Sequence, residues 1–192
     1  MRKAIATSIF LLGVIALLSN IGGSQSSNSC QVQWVFDSDG GIPDGAVICG
    51  NEADGTPLYL ARAHYSGGLH PGKVRPGFGS ANIPYNGYEI KVNPYEVYCG
   101  GGTWVQASGG AIPAGAIVCG YDTNGEYLYA ARAWYAGGLQ LGKVRPEFGA
   151  ANIAYGGREV KVYSYEVLCC AQEYPQYPQN PQYPSRPVLH IG

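Results

Sequence analysis

The residues from Trp34 to Cys99 are written a second time as Trp104 to Cys169, at a constant offset of 70 and without a gap, and 39 of the 66 paired positions are identical. Repeats that stack into solenoids or propellers recur every ~20–50 residues. A unit of 70 residues that holds several strands reads instead as one half of a single pseudo-two-fold symmetric domain. The duplication also makes the chain its own comparison. What differs between the copies is negotiable, and what survives serves the fold or a site.

Short apolar runs bounded by Gly or Pro fill each copy, and none has helical periodicity. Val47–Gly50 and Leu58–Tyr65 flank Asp54-Gly55, and Asn124-Gly125 stands at the same place in copy two. Ala81–Tyr85 and Tyr88–Val92 flank Asn86-Gly87, matched by Gly156-Gly157. These dipeptides suit the positive φ angles of type I′ hairpin turns. Tyr95–Cys99 supplies a final strand. Alternation places Tyr59, Ala61, Ala63 and Tyr65 on one face, and copy two keeps them as Tyr129, Ala131, Ala133 and Tyr135. The opposite face changes, Leu60 to Ala130 and His64 to Trp134, so the unvarying face is expected to be core. Trp34 and Trp104 are expected to be core anchors. The fold class is all-β: two tandem repeats of short antiparallel strands in one domain.

The flanks divide simply. Residues 1–24 read as a secretory signal: Arg2 and Lys3 precede an uncharged run from Ala4 to Leu18, followed by small residues at Gly22, Gly23 and Ser24. That run is short of the ~20 apolar residues a spanning helix needs. Residues 25–33 form a polar lead-in, 34–99 the first repeat, 100–103 a Gly-rich joint, and 104–170 the second repeat. Residues 171–192 carry a Tyr-Pro-Gln tract, whose closely spaced prolines favour extended, unpaired chain. Without Arg2 and Lys3, ten basic side chains face 13 acidic ones, a net charge of −3. That balance leaves no footprint for nucleic acid, and no second segment is apolar enough for membrane insertion.

Six cysteines in a secreted chain argue for disulfide stapling. Cys49 aligns with Cys119 and Cys99 with Cys169, whereas Cys30 and Cys170 have no counterparts. The economical pairing is Cys49–Cys99, Cys119–Cys169 and Cys30–Cys170. The crossed pairing, Cys49–Cys169 with Cys99–Cys119, is also allowed by symmetry. No C-x-x-C spacing or retained histidine offers a metal site, and no cofactor is expected.

Polar residues kept in both copies mark where chemistry would sit. They are Arg62/Arg132, Lys73/Lys143, Arg75/Arg145, Asn82/Asn152, Glu89/Glu159, Lys91/Lys161 and Glu96/Glu166, with Glu52/Asp122 kept in charge alone. No serine, histidine or cysteine among them pairs a nucleophile with a base; His64 aligns with Trp134 and His70 with Gln140. An enzyme of the triad type therefore has no visible parts. For Arg62, Arg75, Glu89, Lys91 and Glu96, cross-strand charge pairing is the expected role, with Lys73 and Arg75 able to neutralise Glu89.

In order along copy one stand Ile42-Pro-Asp-Gly-Ala-Val, Leu58-Tyr-Leu-Ala-Arg-Ala, Pro71-Gly72-Lys73-Val74, Ile83-Pro84-Tyr85 and Tyr95-Glu96-Val97. Copy two repeats the series as Ile112-Pro-Ala-Gly-Ala-Ile, Leu128-Tyr-Ala-Ala-Arg-Ala, Gly142-Lys143-Val144 and Tyr165-Glu166-Val167-Leu168. This series resembles the DM-nine repeat family over both copies. The resemblance implies a secreted lectin that binds mannose-type glycans on cell or microbial surfaces without calcium, as an innate immune recognition molecule. It implies carbohydrate-binding roles for Asp122 with Lys143 and for Glu52 with Lys73. Asp122 is the closer match to the family's acidic position, and Glu52 departs from it by one methylene. Carboxylate and ammonium groups suit sugar hydroxyls, since charged partners strengthen such hydrogen bonds. Two weak sites gain through joint attachment to one polymer, and a homodimer is compatible with that use. The alternative is a structural matrix or coat protein, cross-linked through the tyrosines of its tail.

Overall fold

The computed structural model describes residues 30–170. The signal segment 1–24, the lead-in as far as residue 29 and the tail 171–192 lie outside the described residues. Copy one contributes seven strands: β1 (Trp34–Asp37), β2 (Ile48–Asn51), β3 (Pro57–Tyr65), β4 (Gly68–Val74), β5 (Ala81–Tyr85), β6 (Tyr88–Val92) and β7 (Tyr95–Tyr98). Copy two repeats them as β8 (Thr103–Ser108), β9 (Val118–Tyr121), β10 (Tyr127–Tyr135), β11 (Gly138–Val144), β12 (Ala151–Tyr155), β13 (Arg158–Val162) and β14 (Ser164–Cys169). A short 3-10 turn, Pro146–Phe148, is the one helical element among the described residues. The all-β class read from the sequence holds.

The strands join in the order β1-β7-β3-β2-β11-β12-β13-β6-β5-β4-β9-β10-β14-β8, with β3–β4 and β10–β11 pairing in addition. Read backwards, with each strand exchanged for its counterpart, this order is unchanged; that is the pseudo-two-fold. The β3–β4 pairing closes β3-β2-β11-β12-β13-β6-β5-β4 into an antiparallel ring of eight strands, and β10–β11 closes the symmetry-related ring. Closure removes the exposed edges of those strands. The copies interleave within that ring. Leu139 pairs with Asn51 and, across the pseudo-axis, Leu69 pairs with Tyr121. The β5–β6 and β12–β13 hairpins face one another and bond reciprocally. Glu89 N donates to Gly157 O at 3.2 Å and Glu159 N to Gly87 O at 3.1 Å. Each glutamate carboxylate also accepts from the opposite glycine N–H, at 2.8 and 2.7 Å.

Turn chemistry explains these hairpins, with one change from expectation. Asn86 and Gly87 both have positive φ, 48° and 87°, as a type I′ turn requires. In the turn after β2 only the glycine is left-handed, Gly55 at 85°. Its N–H bonds Glu52 O at 3.0 Å, while Asp54 Oδ1 accepts from Thr56 N at 2.9 Å. The aspartate thus serves as a local acceptor, and the loop wraps back onto Glu52. Ser66-Gly67 and Ala136-Gly137 form further positive-φ turns, between β3 and β4 and between β10 and β11.

The face assignment in β3 is half right. Ala61 and Ala63 are buried at 0% and 2%, but Leu58 and Leu60 on the other face are at 0% too, while Tyr65 is exposed. β3 runs between two packed layers at its start and emerges at its end. Leu58, Leu60, Cys49 and Tyr98 meet Ile117, Cys119, Ala130, Leu141 and Leu168 in a central cluster shared by both copies. Ala61, Ala63, Val74, Ile83 and Tyr95 form an outer cluster, and its counterpart holds Ala131, Ala133, Val144, Ile153 and Tyr165. Trp34 and Trp104 are half-buried against the central cluster. Each carries an arginine on its ring, Arg62 at 4.1 Å and Arg132 at 4.5 Å.

Disulfide stapling is not shown: the six cysteines stand as free thiols in this structure. Cys49 and Cys119 lie in the central cluster while Cys169 lies in the outer cluster of copy two, so Cys119–Cys169 would have to cross a packed layer. Cys99 belongs to neither layer, its Sγ lying against Val97 O, and Cys49–Cys99 is not formed. Cys30 and Cys170, the pair expected to tie the two ends of the domain, are neighbours, and the Cys30 thiol donates to Gly101 O at 3.0 Å. Burial pushes the Cys49 and Cys119 thiols up to about 11 and about 12, so both are neutral.

Candidate functional site

The wrapped turn after β2 fixes Glu52, and β4 presents Lys73. β4 is buried along its whole length, between β3, β5 and β9. A Cβ on Gly72 would run into the backbone of Asn82 and Ile83. The glycine therefore lets β5 lie directly over β4, with Lys73 in register with Asn82. That close approach is the physical reason for the Gly-Lys step, and Gly142-Lys143 repeats it against Asn152 and Ile153.

Around Lys73 the structure brings together the predicted pair and a partner from the other copy. Lys73 Nζ donates to Gln140 Oε1 at 2.6 Å, and Gln140 Nε2 donates to Glu52 Oε2 at 2.9 Å. Lys73 Nζ also lies 3.6 Å from Glu52 Oε1, and Arg75 Nε lies 3.7 Å from the same oxygen. Two rings flank the ammonium, Phe78 at 5.8 Å and Tyr155, again from copy two, at 5.4 Å. Asn82 Nδ2 donates to Glu89 Oε1 at 2.9 Å. The cleft above them has a volume of about 440 Å³ and is lined by Glu52, Lys73, Phe78, Asn82, Glu89 and Tyr155 among others. Lys73 is 2% exposed. Burial lowers its affinity for a proton, and Glu52 and Glu89 partly restore it.

The related site around Lys143 is wired differently. Lys143 Nζ lies 3.1 Å from His70 Nδ1, and His70 Nε2 lies 3.1 Å from Tyr65 O. A carbonyl only accepts, so Nε2 carries the imidazole proton and Nδ1 accepts from the ammonium. Burial first, then the Lys143 charge, hold His70 down at about 4. Burial lowers Lys143 to about 8 against the pull of Glu159 and Asp122. Asp122 accepts from Thr123 N at 2.9 Å and lies 3.7 Å from Arg145 Nη2, a guanidinium also engaged by Glu126. No ion pair joins Asp122 to Lys143 among the described residues. Tyr85, from copy one, and Phe148 flank Lys143 at 5.4 and 5.8 Å. Asn152 Nδ2 donates to Glu159 at 2.7 Å, but Asn152 Oδ1 is buried without a partner. Its counterpart in Asn82 accepts from Ser80 at 3.3 Å, and Ala150 stands where that serine would be.

Both lysines are thus buried beneath paired aromatic rings, and each site is composite. The residues that sequence reasoning missed are Gln140 and Tyr155 at Lys73, and His70 and Tyr85 at Lys143. The one signal for them was the exchange of His70 for Gln140 three positions before the retained lysine. Of the charge pairs expected to be structural, Arg62–Glu96 and Arg132–Glu166 form at 2.8 and 2.7 Å. Arg75 turns to Glu52, and Glu89 is taken by Asn82 and Gly157. No cluster of three metal-ligating side chains occurs among the described residues.

The DM9 repeat matches this chain twice, over residues 17–92 and 70–162. The chain belongs to the DM9 repeat family. Among solved structures, this DM9 repeat pair is similar to the nematode sperm cell motility protein MFP2B, with a TM-score of 0.53 and 19% identity. The match covers 73% of this chain and 46% of that one, so the DM9 chain spans about half the length of its structural neighbour. At that identity the likeness carries the fold. No curated protein matches the chain.

Proposed function

We propose that this DM9 repeat protein is a secreted, calcium-independent lectin that takes mannose-type glycans at its two lysine sites, and that it is not an enzyme. The observation that carries the reading is the setting of Lys73 and Lys143. A buried ammonium beneath two aromatic rings, beside a carboxylate and an asparagine–glutamate pair, offers what a pyranose requires. The ammonium and carboxylate serve neighbouring hydroxyls, and a ring covers an apolar sugar face. The acidic partner is in contact at Lys73 and withdrawn toward Arg145 at Lys143, so the two sites bind with unequal strength. Asn152 Oδ1 supplies the second site with an acceptor that the first lacks. Two sites on one rigid ring bind a branched surface glycan more tightly than either alone, by a factor of roughly 10²–10⁴ where spacing permits. Recognition of microbial or cell surfaces follows from that avidity.

The test is retention on mannan resin. Wild-type protein is retained with or without chelator, and the double variant K73M/K143M, which keeps the apolar stems, elutes at the void volume. Co-elution of wild type and variant, with matching circular dichroism, rejects the lysine sites.

A further inference from the structure

A second pair of clefts lies outside the lysine sites. One has a volume of about 300 Å³ and is lined by Gln106, Arg132, Trp134, Leu139, Ser164 and Glu166 among others. The other, about 360 Å³, is lined by Phe36, Arg62, His64, Leu69, Pro94 and Glu96 among others. Every residue of the first lies 70 positions after a residue of the second, so the clefts are a product of the fold and occur twice. Their floors agree, with Arg, Leu and Glu unchanged. Their lips differ: Phe36, His64 and Pro94 become Gln106, Trp134 and Ser164.

The chemistry of the Trp134 cleft is specific. Arg132 on its floor is paired: Nε donates to Glu166 Oε2 at 2.7 Å, Nη1 donates to Cys49 O at 3.2 Å, and the guanidinium rests on Trp104. Its charge is matched by Glu166, so a phosphate or sulfate gains no net attraction there. One wall presents a row of polar groups, Gln106, Ser164 and Glu166. Gln106 Nε2 donates to Ser164 Oγ at 3.1 Å and to Tyr165 O at 3.0 Å, which fixes the row. The facing wall presents Trp134, which is 68% exposed. The exposed indole offers a large apolar face opposite the polar row.

We propose that the Trp134 cleft is a binding site for a neutral pyranose of an oligosaccharide, separate from the lysine sites. The indole stacks on the apolar face of the ring, and the Gln106, Ser164 and Glu166 row receives its hydroxyls. The His64 cleft keeps Glu96 and an exposed ring, Phe36, but has no counterpart of the Gln106 and Ser164 row or of the indole, and does not share this ligand.

The experiment is calorimetric titration of the full chain with three neutral hexasaccharides, those of cellulose, chitin and β-1,3-glucan, and with a sulfated heparin hexasaccharide. It is run on K73M/K143M, so that failure of the lysine sites leaves this result unaffected. At least one neutral hexasaccharide binds that variant. Adding Trp134→Ala weakens binding on the order of tenfold, the scale of one lost aromatic contact, whereas adding His64→Ala leaves it unchanged. In the unmodified chain the same sugar shifts tryptophan emission to the blue, and Trp134→His abolishes the shift. The proposal is overturned if no neutral hexasaccharide binds, if Trp134→Ala binds like its parent, or if the sulfated sugar binds as well as the neutral ones.

Discussion

Replacing His70 by Gln tests whether the two lysine sites are wired as described. The same position in copy two is Gln140, which accepts from Lys73 at 2.6 Å, so the substitution is one the fold already accommodates. His70 is wholly buried and contacts Lys143, Tyr65 O and the Tyr85 ring at 4.9 Å, with Asp122 and His64 acting from further off. Its proton affinity falls from 6.5 in the free side chain to about 4 in the fold. The folded state therefore binds fewer protons than the unfolded state between those values. By linkage, stability is at its full value above pH 6.5 and declines as the pH falls toward 4. A shift of that size amounts to about 3 kcal/mol lost by pH 4, at 1.36 kcal/mol per pH unit. Glutamine does not titrate. Urea unfolding of wild type and His70→Gln at pH 7.5, 6, 5 and 4 should give a stability difference that moves by about 3 kcal/mol in favour of the variant as the pH drops. Carboxylates common to both proteins cancel in that difference. Parallel pH profiles would refute a neutral His70 accepting from Lys143.

Two further outcomes follow from packing. Gly142→Ala places a Cβ 2.7 Å from Ile153 Cα and closer still to Asn152 O, and is expected to cost about 1–3 kcal/mol or more through displacement of β12, measured as a fall in thermal midpoint. Leu60→Ala opens a cavity in the shared central cluster at a cost of about 2–5 kcal/mol. Ala130 belongs to that same cluster, so adding Ala130→Leu should recover part of the loss, and a double-mutant cycle in denaturant reads the coupling.

Much of the fold was legible because alternation, positive-φ dipeptides and the gapless duplication all point to strands in a two-fold arrangement. β4 and β11 were harder to read. Gly68–Val74 contains Pro71, Gly72, His70 and Lys73, and it lacks the alternation of a half-exposed strand because every residue is buried. The turn at Ala136-Gly137 was hidden for a different reason, since alanine gives no sign of a positive φ. At the site, Glu52 and Lys73 are brought together as the resemblance implies, whereas Asp122 is drawn to Arg145. A one-methylene difference was a poor guide, because the competing guanidinium is placed by the tertiary fold. Gln140 and Tyr155 escaped notice because each copy was compared with its twin, and a residue's twin is not its neighbour.

The interleaved strand order bears on what one copy could do alone. β2 of one copy is continued by β11 of the other, and each hairpin glutamate caps a glycine belonging to its twin. A solitary copy would expose the edges of β2 and β4 and would leave Lys73 without Gln140 and Tyr155. It is therefore half of a ring and half of each site, not a small domain with one site. A single copy built on this plan would need a second copy of itself to close the ring and complete either site. The joint at Gly100–Thr103 makes that association intramolecular, independent of concentration. Because the two halves are separate stretches of one chain, they can differ, and histidine faces one lysine while glutamine faces the other.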